Sequence, residues 1–215
     1  WVVWGGSRDV LKWFSTQPTP IFAGFGRMED LPIAGIKPDK KPAQSACIRR
    51  LVELGHRRIV VLVRPEVRLP KPGRSVRHFL AELESHGLET GPYNLPDWAD
   101  SPEGLQRGLD SLFEVTPPTA LIADGSHLFF AVQQFLAKRG LQVPEDVSLV
   151  CTDANRNYWW CRPTVSHMHW SFRPVLRRIE RWVGNIARGK DDRRQSFTKS
   201  EFVEGGTIGP APGSG

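Results

Sequence analysis

A parallel α/β fold is predicted for this chain by three observations. Strand-like and helix-like stretches alternate along its 215 residues with short connections, the pattern of parallel sheets flanked by helices. Ile59-Val60-Val61-Leu62-Val63 is an unbroken β-branched and aliphatic run, as expected of a strand covered on both faces. Glycines stand at the ends of helical stretches, at Gly55, Gly87, Gly140 and Gly189, where a chain leaves a helix through a left-handed conformation that a Cβ disfavours.

Trp1 to Gly5 reads as a strand, and Ser7 as the N-cap of a helix over Arg8 to Ser15, because a serine oxygen accepts from the free N–H groups of the first turn. Pro18 and Pro20 close that helix and Pro20 to Phe25 forms the next strand. Leu31 to Pro42, rich in proline and lysine, is expected to be loop. A helix from Ala43 to Leu54 puts Ala46, Cys47, Leu51 and Leu54 on one apolar face. The Ile59 to Val63 strand follows, then a Pro- and Arg-rich loop over 64–74. Ser75 to His86 and Pro102 to Phe113 are helical, with an extended piece from Tyr93 to Trp98 between them. Pro117-Pro118 forces extension into the strand Thr119 to Ala123. A helix over Leu128 to Arg139, a strand over Val147 to Cys151 and a crossing segment from Pro163 to Met168 come next. Phe172 to Arg188 is the last helix, Phe197 to Ile208 the last extended stretch, and Pro210 onward is tail.

The chain is 40% apolar, enough to bury one large core or two smaller ones. No apolar run reaches the length of a membrane span, and no signal-peptide pattern opens the chain. Three cysteines are too few for a disulfide framework, which points to a reducing cytoplasm. The net charge is +6 and the pI about 9.5, yet the basic residues are spread out. Their densest groups, Arg173 to Arg188 and Lys190 to Arg194, read as a solvated helix face and its trailing loop. No helix-turn-helix or zinc-finger pattern is present, so DNA contact by these residues is not expected.

Other chemistry finds little support. His167-Met168-His169, with Cys151 and Cys161, lacks the tight Cys or His pairs of a zinc site. The two histidines are expected to point to opposite faces of a strand, and no metal is assigned. Gly24-Phe25-Gly26 lacks the third glycine of a dinucleotide loop. No nucleophile elbow is present. Neither an enzyme nor a cofactor is predicted. In parallel sheets, ligands sit outside the carboxyl ends of the strands, which directs attention to Phe25 to Arg27, Arg64 to Ser75, Asp124 and Asp153.

Pro117-Pro118-Thr119-Ala120-Leu121-Ile122-Ala123-Asp124, a helix, and then Gly140-Leu141-Gln142-Val143-Pro144-Glu145-Asp146-Val147-Ser148-Leu149-Val150-Cys151-Thr152-Asp153 closely resemble the effector-binding core of lactose-repressor/galactose-repressor (LacI/GalR) type regulators. Leu54-Gly55-His56-Arg57-Arg58-Ile59 resembles a second hallmark of that family and Pro163-Thr164-Val165-Ser166 a third, in the family's order. The resemblance implies a two-lobed, periplasmic-binding-protein-like type I fold with a small molecule held between the lobes. Residues 1–42 plus 168–196 would form the N-terminal lobe, and 43–167 plus 197–212 the C-terminal lobe, with 213–215 as tail. Relative to the family pattern, the first lobe is incomplete and the DNA-binding headpiece absent.

Carried over position by position, the resemblance implies these ligand contacts. Asp153 matches the acid that accepts hydrogen bonds from sugar hydroxyls, a task a carboxylate suits. Asp124, where relatives often carry Asn-Asp in place of Asp124-Gly125, keeps the acceptor and loses the amide donor. Trp98 matches an aromatic that stacks on the apolar face of a sugar. Arg74 and Ser75 lie where the family often places a ligand arginine. His169 matches a polar hinge residue, and Phe25 and Arg27 are candidates from the other lobe. The expected function is the sensing core of a bacterial transcription regulator. It would bind a sugar or sugar derivative, act as a homodimer, reach DNA through a separate module and make no membrane contact. A solute-binding protein for a sugar transporter is the alternative, and a sugar-modifying enzyme a third.

Overall fold

The computed structural model describes residues 1–69 and 71–213; Pro70, in the loop expected over 64–74, and Ser214 and Gly215, in the expected tail, lie outside the described residues. The chain divides into two units, Trp1–Asp39 with Trp170–Ser200, and Lys40–His169 with Glu201–Gly215.

The first unit is built on four parallel strands. β1 (Val2–Trp4) pairs with β2 (Phe22–Gly24), β2 with β3 (Ala34–Asp39), and β3 with β8 (Gln195–Val203), of which the residues up to Ser200 belong here. α1 (Arg8–Ser15) begins as expected, with Ser7 Oγ accepting from Val10 N at 3.3 Å. Its one buried residue, Leu11, packs with Ile21, Ala23, Met28 and Ile33. α7 (Arg173–Ala187) contributes Val175 and Trp182 to a second cluster with Phe22, Ala34 and Ile36. Phe22 and Ala23 are neighbours in β2, so their side chains take opposite faces of the sheet and reach different helices.

β3 corrects the expectation of a loop from Leu31 to Pro42. It was hidden by Pro38, which cannot donate to a sheet ladder. β3 pairs with β2 only over Ala34 to Ile36, and beyond that point only with β8, where Pro38 lies opposite Thr198. A proline is tolerated where one side of the strand is unpaired.

The second unit repeats the plan with β4 (Ile59–Leu62), β5 (Ala120–Ala123), β6 (Ser148–Cys151) and β7 (Ser166–Trp170, its residues up to His169 lying in this unit), paired in that order and all parallel. β4, β5 and β6 are buried throughout, as their apolar runs require. One face packs against α2 (Lys41–Glu53) and α4 (Arg74–Ser85) through Ile48, Leu51, Phe79 and Leu83. The other packs against α5 (Pro102–Val115) and α6 (Ser126–Lys138) through Leu109, Phe129, Val132 and Leu136. A short α3 (Pro65–Arg68) interrupts the loop expected after β4.

The turn after α2 explains the Leu54-Gly55-His56 motif. Gly55, at φ 89°, donates to Val52 O, and His56 N donates to Leu51 O, both at 3.0 Å. This pair of bonds satisfies two of the last helical carbonyls, and its left-handed turn favours a residue without a Cβ. The segment expected to be extended from Tyr93 to Trp98 begins instead as a turn over 92–94. The cause is Asn94: its Oδ1 accepts from Gly91 N, its Nδ2 donates to Ile59 O and its own carbonyl accepts from Val61 N, each at 2.9 Å.

Candidate functional site

At the carboxyl edge of the second unit's sheet, β5 releases Asp124 and β6 releases Thr152 and Asp153. The ladder holds their backbones to the end, Asp124 N donating to Leu62 O at 2.9 Å and Thr152 N to Ala123 O at 3.0 Å. Gly125, at φ 98°, then turns the chain into α6. A Cβ there would also stand 2.9 Å from the His127 ring.

The two acids predicted from the sequence converge on one cation that it did not single out. Lys40 Nζ lies 3.3 Å from Asp153 Oδ1, 3.3 Å from Thr152 Oγ1 and 3.7 Å from Asp124 Oδ1. Thr152 donates its hydroxyl to Asp124 Oδ1 at 2.5 Å. Burial works against the Lys40 charge, but the two carboxylates outweigh it and hold its pKa above the ordinary lysine value. One ammonium between two carboxylates leaves the group with a net charge of −1. Asp153 is 40% exposed, so the edge presents acceptor oxygens to solvent.

In the first unit an aromatic platform forms at the corresponding edge. Phe25 follows β2 and lies nearly parallel to Phe172, with centroids 6.2 Å apart at 9°. Trp4, the last residue of β1, stacks 5.5 Å from Phe25 and 5.9 Å from Phe172, and Trp170 lies 6.3 Å from Phe25. Trp4 and Phe172 are each 47% exposed, so ring faces of this group meet water. Gly24 makes room for it: a Cβ there would fall 2.2 Å from the Trp4 ring.

The remaining predicted residues are not drawn together. Trp98 is buried in the core with Leu105 and Leu109, and its carbonyl accepts from the buried Arg68 at 2.6 Å. Arg74 and Ser75 are exposed at the start of α4. Arg27 is exposed in the first unit. His169 is exposed, its ring 6.3 Å from His167. The two histidines therefore share a face, correcting the expectation that they point apart, because residues i and i+2 of a strand project to the same side. Among the described residues no three His, Cys, Asp or Glu side chains are grouped to hold a metal ion, and all three cysteines are free. No helix among the described residues is long and apolar enough to cross a membrane.

Lys40, Thr152, Trp4, Trp170 and Phe172 escaped sequence reasoning. A signal for Lys40 was available: Lys40-Lys41-Pro42 puts two cations at the start of a helix, where a hydroxyl or an acid is favoured. For the platform, the signal was an aromatic at the end of each of two successive strands.

The chain is thus a protein of the α/β class, built of two units that each carry a parallel sheet, the second with an acceptor-rich carboxyl edge and the first with an aromatic one. The chain belongs to the periplasmic binding protein-like domain family, whose model matches residues 48–208. It is 25% identical over 170 residues to an uncharacterized HTH-type transcriptional regulator of Streptomyces limosus, covering 78% of this chain. The chain spans about half, 47%, of that relative's length. A transcription regulator from Lactobacillus plantarum superposes with a TM-score of 0.80 at 16% identity, over 97% of this chain and 80% of that one. A LacI-family regulator from Enterococcus faecium with bound ribose gives 0.76 at 18%, over 94% and 76%. The regulator CelR in complex with cellobiose gives 0.79 at 18%, over 96% and 64%. At these identities the structural likeness is one of fold. The relatives are transcription regulators, not enzymes, in line with the LacI/GalR-type resemblance of the motifs.

Proposed function

We propose that this chain is the ligand-sensing core of a LacI-type transcription regulator, and that its effector is a sugar or sugar derivative. The observation that carries this is the convergence of Asp124, Thr152 and Asp153 on Lys40 at the carboxyl edge of the β5–β6 pair. A net negative group with outward carboxylate oxygens suits hydroxyl donors, and the flat rings of Phe25, Trp4 and Phe172 suit the apolar face of a sugar ring. Ribose and cellobiose, bound by two proteins of the same fold, belong to that chemistry. The effector would act on a dimer whose DNA-binding module lies outside these residues. It would do so by binding one conformation more tightly than the other.

The test is a thermal-shift screen against neutral monosaccharides and disaccharides, sugar acids and sugar phosphates, repeated with Asp153→Ala. A ligand that binds only the folded state raises the midpoint by mass action. A neutral sugar that stabilises the wild type and not the variant is the expected result. A cooperatively melting protein, in this chain and in a longer one carrying its flanking sequence, that responds to no sugar would refute the reading.

A further inference from the structure

The placement of Lys40 breaks a local rule of helix construction. It occupies the N-cap of α2 in a helical conformation, at φ −75° and ψ −11°, without a side-chain cap, and the first turn holds no acidic residue. Lys41 adds a second cation to the helix end whose backbone dipole is already positive. Serine or aspartate would be favoured there on both counts. The ammonium is compensated instead by Asp124, Thr152 and Asp153, from two strands far away in sequence. A sequence that violates local preference in favour of one distant contact marks that contact as functional.

Without Lys40, two carboxylates within 4 Å of one point would repel each other. Such a pair takes up a proton or gathers a cation from solution. We infer that Lys40 determines the specificity of this edge. Its ammonium is a tethered counter-charge that keeps Asp124 and Asp153 as acceptors for neutral hydroxylated ligands and shuts out free cations and amino-bearing ligands. The inference rests on the reading of these two acids as effector contacts. It adds the class of ligand accepted, neutral polyols before amino sugars, and the residue that enforces the choice.

The experiment uses calcium chloride as a probe, because a hard divalent cation seeks the oxygen ligands that Lys40 now satisfies. Calcium titrations by calorimetry and thermal melts compare the wild type with Lys40→Met, Lys40→Gln and Lys40→Arg. The two neutral variants should bind calcium at least about tenfold more tightly than the wild type, since a like charge has left the site. Lys40→Arg should behave as the wild type, and adding Asp153→Asn to Lys40→Met should abolish the gain. If a neutral variant is unfolded alone, calcium should restore its cooperative melt. Neutral variants that gain no calcium affinity or rescue, or a Lys40→Arg variant that gains as much, would overturn the proposal. The sugar screen is scored apart from this. Calcium gain without any sugar hit removes the effector reading and leaves the counter-charge, and a sugar hit without calcium gain does the reverse.

Discussion

His56 Nδ1 stands 3.0 Å from Thr119 Oγ1, and its Nε2 2.9 Å from the Gly209 carbonyl. The carbonyl can only accept, so Nε2 carries a proton and Nδ1 is left as the acceptor for the Thr119 hydroxyl. The fully buried ring is thus satisfied while neutral. Burial pushes its pKa below the ordinary value of 6.5, and the bond to Gly209 only partly opposes this. The unfolded chain therefore binds the proton more readily than the folded one. The contribution is intact above pH 6.5 and is lost as pH falls from there toward the folded pKa. Urea melts from pH 8 to pH 5 should show stability falling in that window, and His56→Gln should lack that component of the slope. Equal slopes would mean that other groups carry the dependence.

This contact also shows why the fold was legible and the site only half so. Leu54 to Ile59 supplies His56, the stretch from Pro117 supplies Thr119, and Ser148, from the Gly140 to Asp153 stretch, donates to Gly209 O at 3.3 Å and accepts from Gly209 N at 3.0 Å. These motifs meet at the amino edge of the second unit's sheet. They specify how strands begin and the tail docks, which is independent of what is bound at the other edge. Asp124 and Asp153 were legible because an acid that ends a short, continuous apolar run needs only the buried-strand pattern and the carboxyl-end rule. Lys40 was not, because it lies in a proline- and lysine-rich stretch whose strand is concealed by Pro38. Its partners are more than eighty residues away, beyond the reach of local patterns.

Arg178 and Asp192 form the most buried ion pair in the first unit, 7% and 11% exposed, with both terminal guanidinium nitrogens, Nη1 and Nη2, engaged at 3.0 and 2.7 Å. Asn185 Nδ2 adds a bond to Asp192 at 2.8 Å, and Arg178 also donates to Arg194 O at 2.7 Å. Burial pushes the Asp192 pKa up, and the bonds from Arg178 and Asn185 outweigh it and bring it below the ordinary carboxylate value. Its contribution is present above that value and lost as pH falls through the lower folded pKa. Removing one partner strands the other charge in the interior, so Arg178→Ala or Asp192→Ala should each cost about 3–5 kcal/mol in denaturant melts. The double variant should cost less than the sum of the two. A loss below about 1 kcal/mol would show the pair to be solvated.

Trp98 matched a sugar-stacking position by resemblance, but its ring lies in the core and its Nε1 has no partner among the described residues. An indole in that state gains from packing and pays for the desolvated N–H. Trp98→Ala should lower stability by about 3–5 kcal/mol. Trp98→Phe, which removes the unpartnered group, should lose about 1.5 kcal/mol or less. Sugar affinity of the folded Phe variant should stay within about twofold of the wild type, a change of roughly 0.4 kcal/mol. A larger loss of affinity at unchanged stability would return Trp98 to the binding surface.

Phe25 sits at φ 60°, a left-handed conformation that costs a residue with a Cβ about 1–2 kcal/mol. It nevertheless stacks with Trp4 and Phe172, and such pairs recover about 0.5–1.5 kcal/mol each. This balance makes an unusual forecast. Phe25→Gly and Phe25→Ala both lose the stacking, but only alanine keeps the backbone penalty. Glycine should therefore be the more stable variant by about 1 kcal/mol, the reverse of the usual order. Both variants should bind the sugar identified by the screen roughly tenfold more weakly, since a flat ring face has gone, and tenfold is about 1.4 kcal/mol. If alanine proves the more stable of the two, the left-handed turn is not retained at this position. If affinity is unchanged in both, the aromatic edge of the first unit serves packing alone, and ligand recognition belongs to the Asp124–Lys40–Asp153 edge.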